Sequence, residues 1–361
     1  MTALAGSSRA WDRGLTMAGV VLVFMSGIAM ASASMTMRGH LAARHAVWIA
    51  LAILACILVG RTNYRRWLDV AGLAYGLSLI TLFLVPVAGA SRLGATRWLS
   101  ILGVSIQPSE FAKLATTLLL ARHLAGLPSP LPARDLGLSL LIAAPVALLI
   151  FAQPDLGSSS VLLAIWCGMI WVAGLSRRAL TGMLTGLLVA LPVGWHLLKD
   201  YQRDRLLVFI DPHADPLGAG YTIIQSTIAI GSGRLWGKGW FSGTQNQLSF
   251  LPERHSDFIF SVIGEEWGFL GCLAVVIVFG VLLLRISRVA LHTSEPQGRL
   301  VAVGVFSWMA YQAFVNMGMV MGLLPVVGVP LPLISYGGSS MLCLGVALGL
   351  VQSVHRTDAA V

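Results

Sequence analysis

Ten apolar runs, each long enough to cross a bilayer as a helix, constrain what this chain can fold into. They lie near residues 15–34, 45–60, 68–88, 108–125, 136–152, 156–175, 179–198, 258–284, 299–321 and 336–354. Hydrophobic residues make up 57% of the 361 positions and charged residues only 11%, which is too little charge for a soluble domain of this size. The sequence therefore predicts an all-α polytopic membrane protein, a single integral membrane domain over residues 1–361 with ten transmembrane helices.

One long polar segment, from Lys199 to Asp257, separates the seventh predicted helix from the eighth. Within it, Tyr221–Ile230 is apolar but too short to span a bilayer, so an interfacial or re-entrant helix is expected there. A chain with one elaborate loop among apolar helices is expected to do its chemistry in that loop, with the helices as a platform.

The placement of arginine predicts the orientation. With a cytoplasmic N-terminus, thirteen arginines fall in inner segments, whereas the short outer loops hold only Arg38, Arg44, Arg92 and Arg97. Both termini are then cytoplasmic, and the loop of residues 199–257 lies on the outer face. The same bias explains the net charge of +9 without a nucleic acid partner.

Two charged residues, Glu110 and Lys113, stand three positions apart in an otherwise apolar run, so they share one helix face. Each charge at mid-membrane costs about 2.5–3.5 kcal/mol, which predicts that they pair and face the interior of the bundle. A structural ion pair and a direct role in substrate binding both fit this pattern.

Asp155 lies in the predicted turn Gln153–Gly157 between two apolar runs. A carboxylate there can cap the N-terminus of the next helix, or it can hold a cation bound to a diphosphate.

Asp257 precedes a long apolar run, and a half-buried carboxylate there could accept a proton near neutral pH and act as a general base. The alternative is again an N-terminal cap. The cationic residues of the loop could bind a phosphate-bearing ligand or anionic lipid head groups, and they are Arg203, Arg205, Lys238 and Arg254. Glu265 and Glu266, deeper in the same run, are expected to be satisfied interior polar residues.

Seven motifs follow one another in a characteristic order, and they are Gln107–Glu110, Gln153–Gly157, Asp200–Arg203, Asp211–Tyr221, Gly237–Trp240, Phe250–Phe260 and Pro330–Ser339. Together they resemble the SEDS family (shape, elongation, division, sporulation). Three segments are similar to its rod-shape branch, RodA, and they are Gly243–Gln245, Glu253–His255 and Val326–Pro330. Ile263–Glu266 is closer to the division branch, FtsW. Ser256 and Arg234 stand where many relatives carry Thr and Gly.

The resemblance implies a peptidoglycan glycosyltransferase that polymerises lipid II during cell elongation, on the outer face of the bacterial inner membrane. It implies ten transmembrane helices, Asp257 as the catalytic residue, a functionally important Glu110–Lys113 pair, and Ser335 within a substrate-binding motif. The implied partners are a class B penicillin-binding protein, which supplies the transpeptidase, and other membrane proteins of the elongation complex. This chain has no Ser-x-x-Lys motif of its own.

The implied reaction is one inverting displacement that releases undecaprenyl diphosphate. Basic side chains would offset the charge of the leaving group, and a divalent cation, Mg or Mn, is a candidate cofactor. Two other functions remain open at this stage, a lipid II flippase and a non-catalytic scaffold for cell-wall synthesis.

Overall fold

The computed structural model describes residues 10–35, 40–92, 95–101, 103–197, 200–218 and 220–358, so Lys199 and Arg38 lie outside the described residues. Its helices are α1 (Arg13–Ala33), α2 (Leu41–Arg61), α3 (Tyr64–Asp69), α4 (Ala71–Ala88), α5 (Pro108–Leu124), α6 (Ala133–Ala152), α7 (Leu156–Gly174), α8 (Arg177–Leu197), α9 (Asp200–Ile210), α10 (Tyr221–Ser232), α11 (Thr244–Gln247), α12 (Ile259–His292), α13 (Pro296–Val320) and α14 (Gly338–Asp358). A short 3-10 turn, Pro212–Ala214, follows α9.

Every predicted span coincides with one long helix of the described chain. By length and composition, seven of these helices are able to cross a membrane, namely α1, α2, α6, α7, α12, α13 and α14. The predicted class, a helical multi-pass membrane protein, is confirmed. The number of ten transmembrane helices stays a prediction, because α4 is shorter, α5 carries a buried ion pair, and α8 falls outside the same criteria.

A small sheet contradicts the prediction that the chain is entirely α-helical. Three antiparallel strands, β1 (Ala90–Arg92), β2 (Ala95–Ile101) and β3 (Val104–Ile106), connect α4 to α5. In the second pairing Leu99 lies opposite Ile106, and Gly103, at φ +79°, occupies the tight turn. Since the strands are only three to seven residues long, the segment lacks the long alternating pattern that would have predicted a sheet.

Helix α13 lies at the centre of the bundle and packs against α5, α7, α12 and α14. A Cβ at Gly304 would collide with Thr117 of α5 and contact Met169 of α7, so this glycine permits the close approach of three helices. The large buried side chain of Trp308 also belongs to this helix. The buried hydrophobic residues form one large cluster that includes α13, and a separate smaller cluster lies between α4, α5, α6 and α7.

The loop of residues 199–257 is largely ordered into helices and turns. The predicted short helix is present as α10, and its Ser226 Oγ lies 2.9 Å from Ser261 Oγ and donates to the carbonyl of Val320 at 2.5 Å. Helix α10 is thus held between α12 and α13. Its depth in the membrane stays a prediction.

A break in α12 explains the glycine-rich stretch after α10. Gly268 has φ +67°, and this interrupts the hydrogen bonds of the helix. The segment after α10 replaces them, since Phe269 and Leu270 donate to the carbonyls of Arg234 and Leu235 at 2.8 and 3.2 Å. Backbone groups at such a break must be satisfied within the protein if they lie at membrane depth. A Cβ on Gly237 would collide with the backbone of α12, so only glycine allows this contact.

Candidate active site

Asp257 lies in the turn that leads into α12. Its backbone N–H donates to the carbonyl of Glu253 at 3.1 Å, so the two acidic residues share one side of the turn. The N-cap position of α12 belongs to Phe258, and no side chain caps the helix there. None of the described residues donates a hydrogen bond to the Asp257 carboxylate. The alternative that Asp257 is a helix cap is therefore wrong.

An amide from the central helix fixes the backbone beside this carboxylate. Asn316 Nδ2 donates to the carbonyl of Asp257 at 2.8 Å and to the carbonyl of Val329 at 2.7 Å. A Cβ added to Gly328, where φ is +72°, would lie 3.4 Å from Asp257 Oδ2, so the carboxylate rests against this glycine. The carboxylate is thus held between the turn and the segment that precedes α14.

Ser335 supports the same turn from the opposite side. Its Oγ donates to the carbonyl of Ser256 at 2.5 Å and accepts from the backbone N–H of Leu331 at 2.7 Å. The backbone N–H of Tyr336 donates to the carbonyl of His255 at 2.8 Å. The predicted substrate-binding residue Ser335 is 5% exposed, and its observed contacts position the turn.

Burial raises the pKa of Asp257 from 3.8 to about 7. The negative charges of Glu253 and Asp155 raise it further, whereas the positive charges of Arg205 and Arg97 oppose the shift. Asp257 itself is half-buried. A carboxyl group with this pKa exchanges protons near neutral pH, which is the property required of a general base.

Asp155 serves as the N-cap of α7, with Oδ1 accepting from the backbone N–H of Ser158 at 3.0 Å. The predicted capping role is confirmed. Gln107 Nε2 donates to its Oδ2 at 3.4 Å, and Arg97 Nη1 lies 4.0 Å from Oδ1. Because Asp155 also acts electrostatically on Asp257, the fold brings both predicted carboxylates to one cleft.

The two arginines of α9 have different positions. Arg205 acts electrostatically on Asp257, and its Nη1 donates to the carbonyl of Val326 at 3.4 Å. Arg203 instead donates to the carbonyls of Trp195 and His196 at the end of α8, at 3.1 and 3.0 Å. Of this pair, Arg205 is the one placed beside the candidate base.

Lys238 forms an ion pair with Glu265 of α12. Its Nζ lies 2.7 Å from Glu265 Oε1 and 2.8 Å from Thr244 Oγ1. The same Glu265 oxygen accepts from the backbone N–H of Gln245 at 3.0 Å. The observed role of this lysine is to tie the loop to α12.

Glu266 is also held by the surrounding loop. Ser32 Oγ donates to its Oε1, Asn246 Nδ2 lies 3.4 Å from that oxygen, and the backbone N–H of Phe241 lies 3.4 Å from Oε2. Glu266 is a satisfied interior residue, as the sequence predicts. Glu265 is satisfied only at Oε1, because its buried Oε2 has no hydrogen-bond partner among the described residues.

Arg254 is 3% exposed, although the sequence places it among the candidate phosphate ligands. Its guanidinium donates to the carbonyls of Ala33 and Asn246 at 3.1 and 2.5 Å and to Ser249 Oγ at 3.0 Å. The residue thus connects the end of α1 to the loop.

The predicted pair in α5 forms, with Lys113 Nζ 2.7 Å from Glu110 Oε1. Both residues are 1% exposed, and the lysine ammonium lies 4.9 Å from the ring centroid of Trp308. Such burial favours the structural alternative over direct contact with a substrate.

Sequence reasoning missed two residues that shape the cleft. Arg97 was counted only for orientation, yet its charge acts on Asp257. Asn316 was not singled out, although a buried amide in an apolar helix needs a partner and signals a polar contact.

The donor set does not favour a cation site made by the protein alone. Both oxygens of Asp155 already have partners. The described residues also contain no group of three or more Asp, Glu, His or Cys side chains that could hold a metal ion. We therefore derive no step through a metal.

The fold and the surroundings of Asp257 define a multi-pass helical membrane protein with a titratable carboxylate in the turn before α12. Residues 12–360 match the cell cycle protein family FTSW_RODA_SPOVE, and the chain belongs to that family. The predicted SEDS family is thereby confirmed.

Curated relatives agree with this assignment. The peptidoglycan glycosyltransferase MrdB of Escherichia coli K12 is 43% identical over 309 residues, which cover 85% of this chain and 83% of MrdB. The probable peptidoglycan glycosyltransferase FtsW of Thioalkalivibrio sulfidiphilus is 38% identical over 359 residues, covering 96% and 89%. Both relatives are named as peptidoglycan glycosyltransferases, which is the enzyme class that the sequence predicts.

Solved structures share the fold across almost the whole chain. One chain, from a study of how a peptidoglycan synthase complex coordinates polymerization and crosslinking, is 34% identical with a TM-score of 0.84. The rod shape determining protein RodA of Thermus thermophilus is 32% identical with a TM-score of 0.73. In each comparison the match covers 97% of this chain and 98% of the other.

Proposed function

We propose that this chain is a peptidoglycan glycosyltransferase that polymerises lipid II during cell elongation, with Asp257 as its general base. One observation carries the assignment of the base: Asp257 accepts no hydrogen bond from the described residues, and its pKa is raised to about 7 by burial. Such a carboxylate is available both to a substrate hydroxyl and to the proton that the hydroxyl releases.

The reaction is a single displacement. Asp257 takes the proton of the acceptor sugar hydroxyl while the hydroxyl oxygen attacks the anomeric carbon of the donor. The bond from that carbon to the diphosphate oxygen breaks, and undecaprenyl diphosphate leaves with the electron pair. Since the donor linkage is α and the product linkage β, one inversion suffices and no covalent enzyme intermediate is required.

Arg205 and Arg97 are proposed to offset the charge of the leaving diphosphate, because both act electrostatically on Asp257 from the rim of the same cleft. Lys238 and Arg254 are less suited to that role, since Lys238 contacts Glu265 of α12 and Arg254 contacts the carbonyl of Ala33 in α1. A divalent cation, Mg or Mn, remains a proposed cofactor that would arrive with the diphosphate.

We further propose that the protein resides in the bacterial inner membrane, with both termini cytoplasmic and the cleft on the outer face. The distribution of arginine supports this orientation. A class B penicillin-binding protein is the proposed partner, together with other elongation-complex membrane proteins. The resemblance to a chain studied within a peptidoglycan synthase complex supports such a partner.

The test is glycan polymerisation by purified protein from labelled lipid II, with and without a class B penicillin-binding protein, in wild type and Asp257→Ala. Polymer from wild type and none from the variant is the expected result. A flippase would move labelled lipid without making polymer, and a scaffold would support its partner equally well with Asp257→Ala. Either outcome would overturn the proposal.

A further inference from the structure

A shallow apolar groove of about 680 Å³ runs along the outside of the bundle between α4 and α6. Its lining is entirely hydrocarbon and consists of Leu79, Ile80, Phe83, Leu84, Pro145, Leu148 and Leu149. Leu79 lies at the midpoint of α4, and the other residues belong to the C-terminal halves of the two helices. The groove therefore lies directly below the sheet and the turn that follow those helices.

Contacts connect the upper end of the groove to the candidate active site. Gln153, which ends α6, donates from Nε2 to the carbonyl of Leu82 in α4 at 2.7 Å. Arg97 Nε donates to the carbonyl of Gln153 at 3.2 Å, and its Nη1 lies 4.0 Å from Asp155. Both Arg97 and Asp155 act electrostatically on Asp257. One short series of contacts thus joins the hydrocarbon groove to the charged cleft.

The lower end of the groove is bounded. The hydroxyl of Tyr75 donates to the carbonyl of Ile142 at 2.8 Å and joins α4 to α6 there. Above this contact Pro145 interrupts the hydrogen bonds of α6, since proline has no backbone N–H. Ile80, Phe83 and Leu148 remain 57%, 69% and 65% exposed, so their side chains face whatever fills the groove.

A lipid-linked sugar diphosphate needs this combination of surfaces. Its charged diphosphate stays at the membrane surface, and its isoprenoid chain must descend into the bilayer from the same point. We propose that the groove between α4 and α6 holds the isoprenoid chain of a lipid-linked substrate whose diphosphate lies at Arg97 and Arg205. This inference rests on the proposed function and adds the site for the lipid tail. The groove would align the substrate by holding its tail, which lowers the entropy lost on reaching the transition state.

The first experiment compares undecaprenyl lipid II with an analogue whose tail is a single isoprene unit, which is too short to fill the groove. Leu148→Trp and Ile80→Trp each place a bulky side chain in the groove at positions that already face lipid. We expect the KM for the undecaprenyl substrate to rise about tenfold, which corresponds to the loss of about two buried methylene contacts. The KM for the short-tailed analogue should stay within about twofold, because its chain does not depend on the full groove.

Leu141→Trp is the matched control. Leu141 lies seven residues before Leu148 on the same helix and is similarly exposed, at 66%, but it is outside the groove. The control should leave both KM values unchanged. Equal impairment of both substrates by the groove variants, or no change with either, would overturn the inference.

A second measurement tests lipid binding in the groove by crosslinking and does not depend on enzyme activity. A benzophenone amino acid placed at position 148 should crosslink to radiolabelled undecaprenyl diphosphate in detergent with added phospholipid, and the same probe at position 141 should not. The probe could instead crosslink to phospholipid. If excess undecaprenyl diphosphate does not reduce that crosslinking, the groove is a general lipid contact and the assignment is refuted. Crosslinking by the probe at position 148, combined with a wild-type protein that polymerises neither substrate, would instead count against the proposed function.

Discussion

Two carboxylates near the start of α12, those of Asp257 and Glu265, lie in opposite environments. Asp257, just before the helix, accepts no hydrogen bond from the described residues, and the positive charges of Arg205 and Arg97 act on it electrostatically. Glu265, two turns further on, accepts from Lys238, Thr244 and the backbone of Gln245 through one oxygen. The same chemical group therefore serves two purposes. The Glu265 carboxylate, which accepts several hydrogen bonds, connects the loop to the helix. The Asp257 carboxylate, which accepts none from the described residues, is available for proton transfer.

The loss of the Asp257 carboxylate should have the largest effect. Asp257→Asn removes the base while keeping the shape, and polymerisation should fall by about 10²–10⁴-fold.

The same variant should also change the stability of the protein. The folded state raises the pKa of Asp257 from 3.8 to about 7, so the folded protein binds this proton more tightly than the unfolded chain does. Stability from this group is full below pH 3.8 and declines as the pH rises to about 7. At pH 8 the variant should therefore melt at or above the temperature of wild type.

Polymer assays and thermal unfolding of the same purified preparations would check both halves of this prediction. A variant that loses activity and also melts well below wild type would mean that Asp257 supports the fold, and the contrast with Glu265 would disappear.

The buried pair in α5 extends the comparison to the middle of the bundle. Lys113→Met leaves Glu110 without its partner at 1% exposure, and breaking a buried pair in this way costs about 3–5 kcal/mol. Replacing both, with Glu110→Gln and Lys113→Met, should recover most of the lost stability, because no uncompensated charge remains. Thermal unfolding in detergent is the measurement. A single variant that keeps the wild-type melting temperature but loses polymerisation would favour the substrate role instead.

Glu265→Gln should have a smaller effect, confined to stability. It removes the charge that Lys238 and two further donors share, for a loss of about 1.5–3 kcal/mol. Polymerisation by the protein that remains folded should stay within a few-fold of wild type. Glu295→Gln is the matched control, because the Arg65–Glu295 pair is largely exposed and should contribute less than about 1 kcal/mol. Complete loss of activity in a stable Glu265→Gln protein would place this carboxylate in the chemistry.

The helices could be predicted from the sequence because apolar length alone decides whether a segment suits a membrane. The motif around Asp257 also pointed to the base. By contrast, the fate of the basic residues depends on contacts between distant parts of the chain. Arg254 bonds to Ala33, 221 positions away, and Lys238 pairs with Glu265, 27 positions away. No local sequence pattern predicts such distant partners. Arg254 and Lys238 were therefore predicted to bind a phosphate, whereas their observed contacts hold the loop in place.

The sheet and Arg97 illustrate a second limit. Strands of three residues carry too little periodicity to be seen in a sequence. Yet this sheet is what brings Arg97 beside Asp155. The charge balance at the candidate base therefore became visible only with the fold.

The smallest effect should appear in the pH dependence of polymerisation. The rate should rise with pH through about 7, because Asp257 must lose its proton before it can act as a base. Glu253→Gln removes a negative charge that raises the pKa of Asp257, so the midpoint should move to lower pH. The shift should be modest, since the side chain of Glu253 is 41% exposed and water screens it.

Ionic strength offers a second test of the same charge. Raising it should shift the wild-type midpoint in the same direction and reduce the difference in midpoint between wild type and Glu253→Gln. A midpoint that moves upward in Glu253→Gln would mean that this residue stabilises the ionised base, and the cleft would then resemble the satisfied cluster around Glu265.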